Sequence, residues 1–365
     1  MSIPIIDKEV RTQFNAFAKA NGLLPIKVTH HYQKLVQEEV ETLGHRGGPL
    51  YKVVYPTDER LNLRLAHEVP DFVHDRTNMP KALDSILIHK YGQRALYLVT
   101  DRCAGHCMYC FRQDVLSEMH QDELPELENR LNTVMAYLKQ HPEIEEIILS
   151  GGDPLNVPFR FLVKVFERLS METSVTNIRV HTRNVVFAPK VLSERVCELL
   201  GKYRARIYLH IVHPYELVDE VVAVIKRLQA HGVRCYSQFP ILRGINDQPE
   251  VLKQLLQKLD DLDARPINLF IPDPIFYSAS FRVSLERLLG LMDDLYWTTS
   301  SWLNSVRIVL DTPLGKVRRE DIKAWDKERG IVAFDREGEQ VLYHDFPKEL
   351  DVPGDPKILL WKDQT

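Results

Sequence analysis

Residues 100–112 decide the fold of this chain, and they read Thr100-Asp101-Arg102-Cys103-Ala104-Gly105-His106-Cys107-Met108-Tyr109-Cys110-Phe111-Arg112, directly after an apolar, strand-like run. The cysteines have a C-x3-C-x2-C spacing, so three thiols arrive within eight residues. Cysteine thiolates hold iron-sulfur clusters, and a [4Fe-4S] cluster with three protein ligands leaves one iron open to another molecule. We therefore interpret this stretch as a cluster-binding loop and expect the open iron at the active site.

The three cysteines could instead bind structural zinc, or they could be unrelated core thiols. Structural zinc takes four protein ligands, and the remaining cysteines, Cys197 and Cys235, lie far away in the sequence. Buried free cysteine is common in protein cores, but it has no reason to cluster directly after a strand. The spacing therefore favours an iron-sulfur cluster.

The composition indicates a globular protein and argues for neither nucleic acid nor membrane as a partner. The chain has 365 residues, 44% of them hydrophobic, and a net charge of -4, which offers no general attraction to polyanions. The N-terminus lacks a basic segment followed by a long apolar one, and no apolar run of about 18 residues follows. We expect a cytoplasmic protein, because exposed thiolates need a reducing compartment in which disulfides do not form.

From Ala95 onward, short β-rich runs alternate with segments of helical length, which is the pattern of parallel βα units. The residues before about 85 are mixed and polar, with a helical pattern near 10–21, and they predict an N-terminal wrap. The predicted strands are residues 95–100, 146–150, 177–182, 206–210, 233–239 and 268–271, and a seventh run at 306–310 would extend the sheet. These units alone are compatible with a doubly wound sheet or a barrel, and both bind ligands at the carboxyl ends of their strands.

Polar residues follow the ends of the predicted strands. The cysteines follow the first strand, Gly151-Gly152-Asp153 follows the second, and Asp273 follows the sixth. Because the carboxyl ends of parallel strands meet at one edge, we expect these groups to share a rim. Gly-Gly-Asp-Pro alone is a common turn sequence, so its position after a strand, rather than its composition, carries this prediction.

The cysteine loop and the Gly-Gly-Asp segment resemble those of the radical SAM superfamily, whose members cleave S-adenosylmethionine at such a cluster. More specifically, the chain resembles the lysine 2,3-aminomutase family from about residue 86 to 347. The segments that carry this resemblance are residues 88–98, 110–112, 150–153, 242–247 and 311–316. The resemblance implies an α/β fold with a partial (β/α)6 barrel over residues 86–300. An N-terminal helical wrap would cover residues 1–85, and residues 301–365 would form an extension with the cofactor lysine and a β-hairpin.

The superfamily resemblance also implies how S-adenosylmethionine is bound. A Gly-Gly-Asp or Gly-Gly-Glu segment after the second strand lets the backbone approach the methionyl amino group, because glycine has no side chain in the way. Gly151, Gly152 and Asp153 match this segment. We also assign Tyr109, within the cysteine loop, to cofactor binding.

The aminomutase family binds pyridoxal 5'-phosphate (PLP) through an aldimine with a lysine beyond the barrel, and Lys316 matches that lysine. Burial would lower the pKa of such a lysine and make it a neutral nucleophile. By the same resemblance Arg94, and with it Lys90, would hold the phosphate as cationic donors. Without the resemblance, Lys316 would be taken for a surface lysine at the start of a basic stretch.

Substrate recognition in the family predicts three further residues. An arginine two residues after the third cysteine binds the substrate carboxylate, and Arg112 occupies that place. In lysine 2,3-aminomutases two aspartates bind the side-chain end, and Asp273 and Asp311 match them. Two carboxylates in one pocket repel each other unless a cation lies between them, so the pair predicts a substrate with a cationic tail. The alternatives are a solvated arginine and two aspartates that only form turns.

Three departures from the family pattern bear on the substrate and on assembly. Only residues 312–315 separate Asp311 from Lys316, fewer than in the clostridial type, and residues 346–355 contain no cysteine for an inter-subunit zinc site. Ser278 and Ser280 stand in a segment where relatives commonly carry a histidine. Lysine, ornithine and arginine would each satisfy two aspartates, so the sequence leaves the choice among them open, as it does the formation of a homo-oligomer.

The resulting hypothesis is an isomerase, a radical SAM and PLP-dependent 2,3-aminomutase of a small cationic α-amino acid. The cluster would receive its electron from a reductase or a flavodoxin-type donor. The alternatives are a radical SAM enzyme with another substrate on the same scaffold, and a non-catalytic iron-sulfur or zinc protein. In the C-terminal extension, residues 331–334 and 340–343 alternate around a turn and predict a hairpin over the barrel mouth.

Overall fold

The computed structural model describes residues 5–118 and 123–364 and shows a mixed α/β protein. The helices are Lys8–Ala20 (α1), His30–Leu43 (α2), Pro49–Val54 (α3), Asp58–Asn62 (α4), Gln113–Glu118 (α5), Leu124–Gln140 (α6), Phe159–Glu172 (α7), Asn184–Phe187 (α8), Glu194–Lys202 (α9), Asp219–Ala230 (α10), Pro249–Asp261 (α11), Leu285–Thr298 (α12) and Pro356–Leu359 (α13). The strands are Leu87–Tyr91 (β1), Arg94–Thr100 (β2), Glu146–Gly151 (β3), Asn177–Thr182 (β4), Arg206–Leu209 (β5), Arg234–Pro240 (β6), Arg265–Phe270 (β7), Arg307–Thr312 (β8), Gly315–Val317 (β9), Ile322–Asp326 (β10), Ile331–Arg336 (β11) and Glu339–His344 (β12).

Strands β1 to β9 form one sheet in which each strand pairs with the strand before it in the sequence. Strands β2 to β8 run parallel, and β1 and β9 flank them in antiparallel orientation. A doubly wound sheet would reverse its strand order at a switch point, so the barrel expectation is confirmed. The seventh predicted run is present as β8, whereas β1 and β9 were not predicted.

The barrel is partial. Within the described residues no backbone ladder joins β9 to β1. The side chain of Lys90 in β1 instead donates a hydrogen bond to the backbone oxygen of Thr312 in β8 and so bridges the two edges. One wall of the barrel interior is therefore closed by a side chain rather than by a strand pair.

The barrel has an apolar outside, covered by helices, and a partly polar inside. In β4, Ile178, Val180 and Thr182 are buried, while the alternating residues Arg179 and His181 line the interior cavity. This alternation follows from the period of two along a strand. Helix α7 shows the matching helical spacing, and it buries Phe161, Leu162, Val165, Phe166 and Leu169.

The N-terminal wrap contains more helix than the sequence pattern predicted. The predicted helix is present as α1, and α2, α3 and α4 follow it. The wrap supports the cysteine loop, because the backbone N–H of His106 donates to Lys27 O at 2.8 Å and that of Met108 to Val53 O at 2.8 Å. One apolar core runs from Phe14 in the wrap to Trp361 near the C-terminus, and the predicted domain boundaries after residues 85 and 300 stay a prediction.

The predicted C-terminal hairpin is confirmed as β11 and β12, and β10 adds a third antiparallel strand. The hairpin reaches the cavity through Arg336, whose Nη1 donates to Lys316 O at 2.5 Å. None of the helices in residues 5–118 and 123–364 is long and apolar enough to cross a membrane. The cytoplasmic location stays a prediction.

Candidate active site

A cavity of about 500 Å³ lies inside the barrel and reaches the carboxyl ends of its strands. Every residue that the sequence predicted for the site lines this cavity: Lys90, Arg94, Cys103, Cys107, Tyr109, Cys110, Arg112, Gly151, Gly152, Asp153, Asp273, Asp311 and Lys316. The prediction that these residues lie together at one end of the barrel strands is therefore confirmed as far as their positions are concerned. The individual roles of these residues stay predictions, and their contacts bear on each role.

The cysteine loop and the two glycines behind it form one side of the cavity, which we call the cluster wall (residues 100–112, Gly151 and Gly152). Backbone hydrogen bonds hold it, since Gly152 N–H donates to Thr100 O at 2.7 Å and Asp153 N–H to Arg102 O at 2.9 Å. Main-chain contacts thus hold the loop, and the side chain of Lys27 adds a hydrogen bond from Nζ to Cys103 O at 2.7 Å.

The three cysteines of the cluster wall are partly buried, and their thiols lie close enough to influence one another. Burial raises the pKa of Cys103 and Cys110, and neighbouring thiols raise both further, Cys110 to about 12. Burial also raises the pKa of Cys107, while the Arg183 guanidinium opposes that shift. Unpaired thiolates are therefore unfavourable here, and a bound metal would supply the missing positive charge.

The glycines are required by the loop itself. Gly151 has a φ of 115°, and a Cβ at this position would lie 2.3 Å from the backbone oxygen of Thr100. A Cβ on Gly152 would lie 2.5 Å from the backbone oxygen of Arg102. The sequence predicted glycine for close approach to a ligand, and the structure adds close approach to the cysteine loop as a sufficient reason.

Asp153 and Tyr109 are engaged with protein groups beside the cluster wall. The buried Asp153 carboxylate accepts hydrogen bonds from Thr182 Oγ1 at 2.8 Å and from the backbone N–H groups of Arg183 at 2.9 Å and Asn184 at 3.0 Å. It therefore ties the end of β4 to the segment after β3. The Tyr109 hydroxyl hydrogen-bonds to His210 Nε2 at 3.1 Å.

A second group of cavity residues, which we call the charged wall, consists of Asp75, Lys90, Asp273, Asp311 and Lys316. Lys316 Nζ lies 2.8 Å from Asp311 Oδ2, and the two residues are directly opposite in the β8–β9 pair. The short turn between them, with Gly315 at a φ of 94°, produces this pairing. The turn length that departs from the family pattern thus explains why the lysine faces the aspartate.

The two residues predicted for phosphate binding differ in how free they are. Lys90 Nζ donates to the backbone oxygens of Thr312 and, at 3.1 Å, Val73. Arg94 lies over the Tyr91 ring at 4.3 Å and 3.7 Å from Glu146 Oε2. Its buried Nε has no hydrogen-bond partner among the described residues. Arg94 can therefore still take an anion, whereas Lys90 would have to leave its carbonyl contacts.

Asp273 differs from the other carboxylates of the charged wall. Burial raises its pKa well above the ordinary range, and the carboxylates of Asp311 and Asp75 add to that shift. Burial acts to raise the pKa of Asp311 as well, but Lys316, Lys90 and Arg112 together outweigh burial and lower that pKa. No Lys or Arg of the described ranges lies within ion-pair distance of Asp273.

Sequence reasoning missed Asp75, which pairs with the predicted carboxylate-binding arginine. Arg112 Nε lies 2.8 Å from Asp75 Oδ2, and Arg112 Nη1 donates to Ser150 Oγ at 3.4 Å. Both Asp75 and Arg112 are largely shielded from solvent, with side chains 9% and 14% exposed. Asp75 stands in a loop stretch without periodicity, so no pattern signalled that it would reach the cavity.

Comparison with known proteins identifies the family. The profile of the radical SAM superfamily matches residues 97–256. A putative L-lysine 2,3-aminomutase from Aquifex aeolicus is 31% identical over 75% of this chain and 71% of its own length. The L-lysine 2,3-aminomutase of Buchnera aphidicola is 32% identical over 60% of this chain and 63% of its own length, and that of Methanococcus maripaludis 27% over 89% and 73%.

The chain belongs to the lysine 2,3-aminomutase family of radical SAM enzymes. A radical SAM domain implies a [4Fe-4S] cluster and S-adenosylmethionine, and the loop fits such a cluster. Within residues 5–118 and 123–364, no three His, Cys, Asp or Glu side chains gather as the ligands of one metal ion do. A cluster needs no such convergence, because each thiolate binds a different iron.

Proposed function

We propose that this enzyme is a PLP-dependent 2,3-aminomutase that moves the amino group of a cationic α-amino acid to the β carbon. The observation that carries the choice of substrate is Asp273, a partly buried carboxyl group in the cavity with no cation within ion-pair distance among the described residues. The rest of the proposal is supported by the common cavity of the predicted residues and by the relatives that are named aminomutases.

The charges of the cavity support a cationic substrate tail. Asp75 is paired with Arg112 and Asp311 with Lys316, each at 2.8 Å. Asp273 receives no such partner, and burial and two neighbouring carboxylates raise its pKa. A ligand ammonium or guanidinium beside Asp273 would remove this penalty, because an opposite charge favours the ionised carboxylate. A ligand with an acidic tail would increase the penalty.

The proposed roles of the protein groups follow from their positions. Arg112 would bind the substrate carboxylate through its Nη atoms, because its Nε is already held by Asp75. Asp273 and Asp311 would bind the cationic tail, and Asp311 would also hold the Lys316 ammonium whenever that lysine is not bonded to PLP. Two fixed ends orient the substrate carbon chain across the cavity, which is how binding groups accelerate a reaction without touching the reacting atoms.

The cofactors would carry the chemistry and the protein would position them. When bound, the cluster with S-adenosylmethionine supplies a radical that removes a hydrogen atom, and PLP supplies the carbonyl carbon that holds the migrating nitrogen. Lys316 would attach PLP, and Arg94 would hold its phosphate with an Nε that is free in this structure. A reductase or flavodoxin-type protein would donate the electron, and the reducing compartment that thiolates need is consistent with a cytoplasmic location.

The test uses protein reconstituted anaerobically with iron, sulfide and PLP. L-Lysine, L-ornithine and L-arginine are offered separately with S-adenosylmethionine and a reductant, and β-amino acid products are measured by mass spectrometry after derivatisation. We expect one of the three to give a β-isomer, and L-glutamate to give none. The absorbance of bound PLP before and after borohydride reports covalent attachment independently of turnover.

The outcomes separate the proposal from its two alternatives. A reducible PLP adduct without any β-product would favour a radical SAM enzyme with another substrate on the same scaffold. Cluster absorbance without PLP binding and without cleavage of S-adenosylmethionine would favour a non-catalytic iron-sulfur protein. A preference for an acidic amino acid would contradict the assignment of Asp273.

A further inference from the structure

His181 is a cavity residue to which neither the sequence motifs nor the proposed function assigns a role. It lies in β4, and its ring packs on Tyr208 with centroids 5.1 Å apart. Its Nδ1 lies 3.5 Å from the side-chain nitrogen of Gln238. Its Nε2 is buried and has no hydrogen-bond partner among the described residues. Buried polar atoms are usually hydrogen-bonded, so a buried atom that lines a ligand cavity without a partner is a candidate to hydrogen-bond a ligand.

The surroundings of His181 determine whether Nε2 is a hydrogen-bond donor or an acceptor. Burial lowers the pKa of His181 well below its ordinary value, and the cations of Arg179, Arg112 and Lys316 lower it further, so the ring is neutral. Gln238 presents an amide N–H to Nδ1, which makes Nδ1 the acceptor and leaves the proton on Nε2. The cavity therefore contains an N–H donor that lacks an acceptor.

Strand register places this donor near Arg112. Leu149 in β3 pairs with Val180 in β4, so Ser150 and His181 are neighbours one step further along. Ser150 Oγ accepts a hydrogen bond from Arg112 Nη1. Arg94 lies at the other end of the barrel, beside Glu146, whose partner in β4 is Asn177. Asn177 precedes His181 by four residues, which is roughly 13 Å along a strand.

Arg112 by itself is an incomplete carboxylate site. Its charge is already matched by Asp75, which is bound to Nε, so a ligand carboxylate would meet a partly compensated cation. Charge-assisted hydrogen bonds from a second donor would offset this loss. A neutral imidazole suits this position, since it donates to an anion without requiring a further counter-charge.

We propose that His181 binds the carboxylate of the amino acid, with Nε2–H donating to one carboxylate oxygen while the Arg112 Nη atoms bind the other. This inference rests on the proposed function for the nature of the ligand. The phosphate of PLP could also supply an anionic oxygen to His181 Nε2. The distance along the barrel between His181 and Arg94, the residue proposed to bind that phosphate, favours the carboxylate of the amino acid.

The experiment compares His181→Phe, which keeps an aromatic ring on Tyr208 and loses the donor, with His181→Gln, whose amide N–H can reach the place of Nε2. The reconstituted, PLP-loaded protein is used without reductant, so that no turnover occurs. Dissociation constants are measured from the change in PLP absorbance for L-lysine, L-ornithine and L-arginine and for their α-carboxamides. PLP affinity is measured separately for each variant, and cluster absorbance and circular dichroism report folding.

We expect His181→Phe to weaken binding of the amino acid by about tenfold or more, because hydrogen bonds to charged groups are of that strength. Binding of the α-carboxamide should be weakened less than binding of the amino acid. The His181→Gln variant should recover part of the affinity for the amino acid, and the PLP affinity of each variant should stay within about twofold of the wild type. In an Arg112→Ala background the His181→Phe effect should shrink, since two groups that hold one carboxylate are coupled.

Four results would overturn the proposal. Equal losses for the acid and the amide would assign His181 a structural role, and a loss of PLP affinity in its place would assign the donor to the phosphate. Unchanged affinity in His181→Phe, or a wild type that binds none of the amino acids, would remove it from the site. A wild type that binds an amino acid through His181 but forms no β-product would leave this inference standing and contradict the proposed function alone.

Discussion

The cluster wall and the charged wall line one cavity and meet at the ion pair of Arg112 with Asp75, but they are built in different ways. The cluster wall comes mainly from a single stretch of thirteen consecutive residues, 100–112, and is held by backbone hydrogen bonds. The charged wall comes from the N-terminal wrap, β1, the segment after β7, β8 and β9, and is held by ion pairs of Asp75 with Arg112 and of Asp311 with Lys316. One wall depends on main-chain geometry, and the other depends on charge balance.

The two constructions make the walls vulnerable to different changes. A change of a thiol removes a metal ligand that nothing nearby can replace, so the effect should be nearly complete. A change of charge in the other wall alters the electrostatic balance of a partly shielded site, so its effect depends on which partner remains. Three predictions test this contrast, and a fourth concerns a carboxyl group outside both walls. They follow in decreasing order of the expected effect.

The greatest loss is expected from the thiols. Replacing Cys103, Cys107 or Cys110 singly by Ala should abolish the cluster, because a [4Fe-4S] cluster with three protein ligands cannot spare one. The double variant Cys197→Ala, Cys235→Ala is the matched control, since both thiols are buried away from the loop. Iron content and the visible absorbance after anaerobic reconstitution provide the measurement. Loss of the cluster in the control would show that the three-cysteine assignment is incomplete.

The second prediction separates the two walls. Lys316→Ala should abolish the borohydride-reducible PLP adduct and leave the cluster and the reductive cleavage of S-adenosylmethionine in place, because the two cofactors attach to different walls. The adduct is followed by absorbance and mass spectrometry, and cleavage by chromatography of 5'-deoxyadenosine. Lys323→Ala, an exposed lysine of β10, is the control. An adduct that persists in Lys316→Ala would move PLP to another lysine.

The third prediction tests charge balance within the charged wall. Asp273→Asn keeps the shape of the side chain and removes the charge that would pair with the substrate tail. Losing one partner of a desolvated charge pair costs roughly 2–5 kcal/mol of binding free energy, whereas losing one partner of an exposed pair costs about 1 kcal/mol or less. We expect kcat/KM for the cationic amino acid to fall by on the order of a hundredfold or more, with PLP and cluster content intact.

The control for Asp273→Asn is Asp294→Asn, because Asp294 is exposed on α12. This variant should keep kcat/KM within about twofold. If Asp273→Asn also left kcat/KM unchanged, Asp273 would not contact the substrate, and the argument for a cationic substrate tail would fail.

The least effect is expected at Glu39, a buried carboxyl group that lies outside the cavity and outside both walls. Burial raises its pKa to about 7, although it accepts hydrogen bonds from the backbone N–H groups of Leu50 and Tyr51 at 2.8 Å each. The ordinary pKa of a glutamate is 4.5, and that of Glu39 in the folded protein is about 7. Between these two pH values the folded protein retains a proton that the unfolded chain releases. The free energy of unfolding should therefore fall as the pH rises through this window.

Denaturant unfolding of the wild type and Glu39→Gln at pH 4.5, 6 and 7.5 measures this linkage. The stability of Glu39→Gln relative to the wild type should increase with pH by a few kcal/mol at most, because each pKa unit is worth about 1.4 kcal/mol. A constant difference across this range would mean that folding does not raise the pKa of Glu39, and that the backbone hydrogen bonds balance the effect of burial there.

The sequence predicted the barrel strands well because each obeys a local rule. The run predicted at 177–182 is β4 residue for residue, and the other predicted strands differ from the structure by a few residues at their ends. Strands β1, β9 and β10 were missed, since their antiparallel pairing depends on neighbouring strands that only the folded chain provides. In the wrap, α2, α3 and α4 were missed, because their buried faces are formed against distant parts of the chain.

The chemistry that is local could be predicted from the sequence: three thiols within eight residues, two glycines after a strand, and a lysine in a short turn. Which charges meet could not be predicted, because folding brings them together. Asp75 reaches Arg112 across 37 positions of sequence, and Asp273 is left without a cation although Lys316 and Arg282 influence its pKa. The physical reason is that metal ligation depends on residue type and spacing, whereas the energy of a buried charge depends on every charge that folding brings near it.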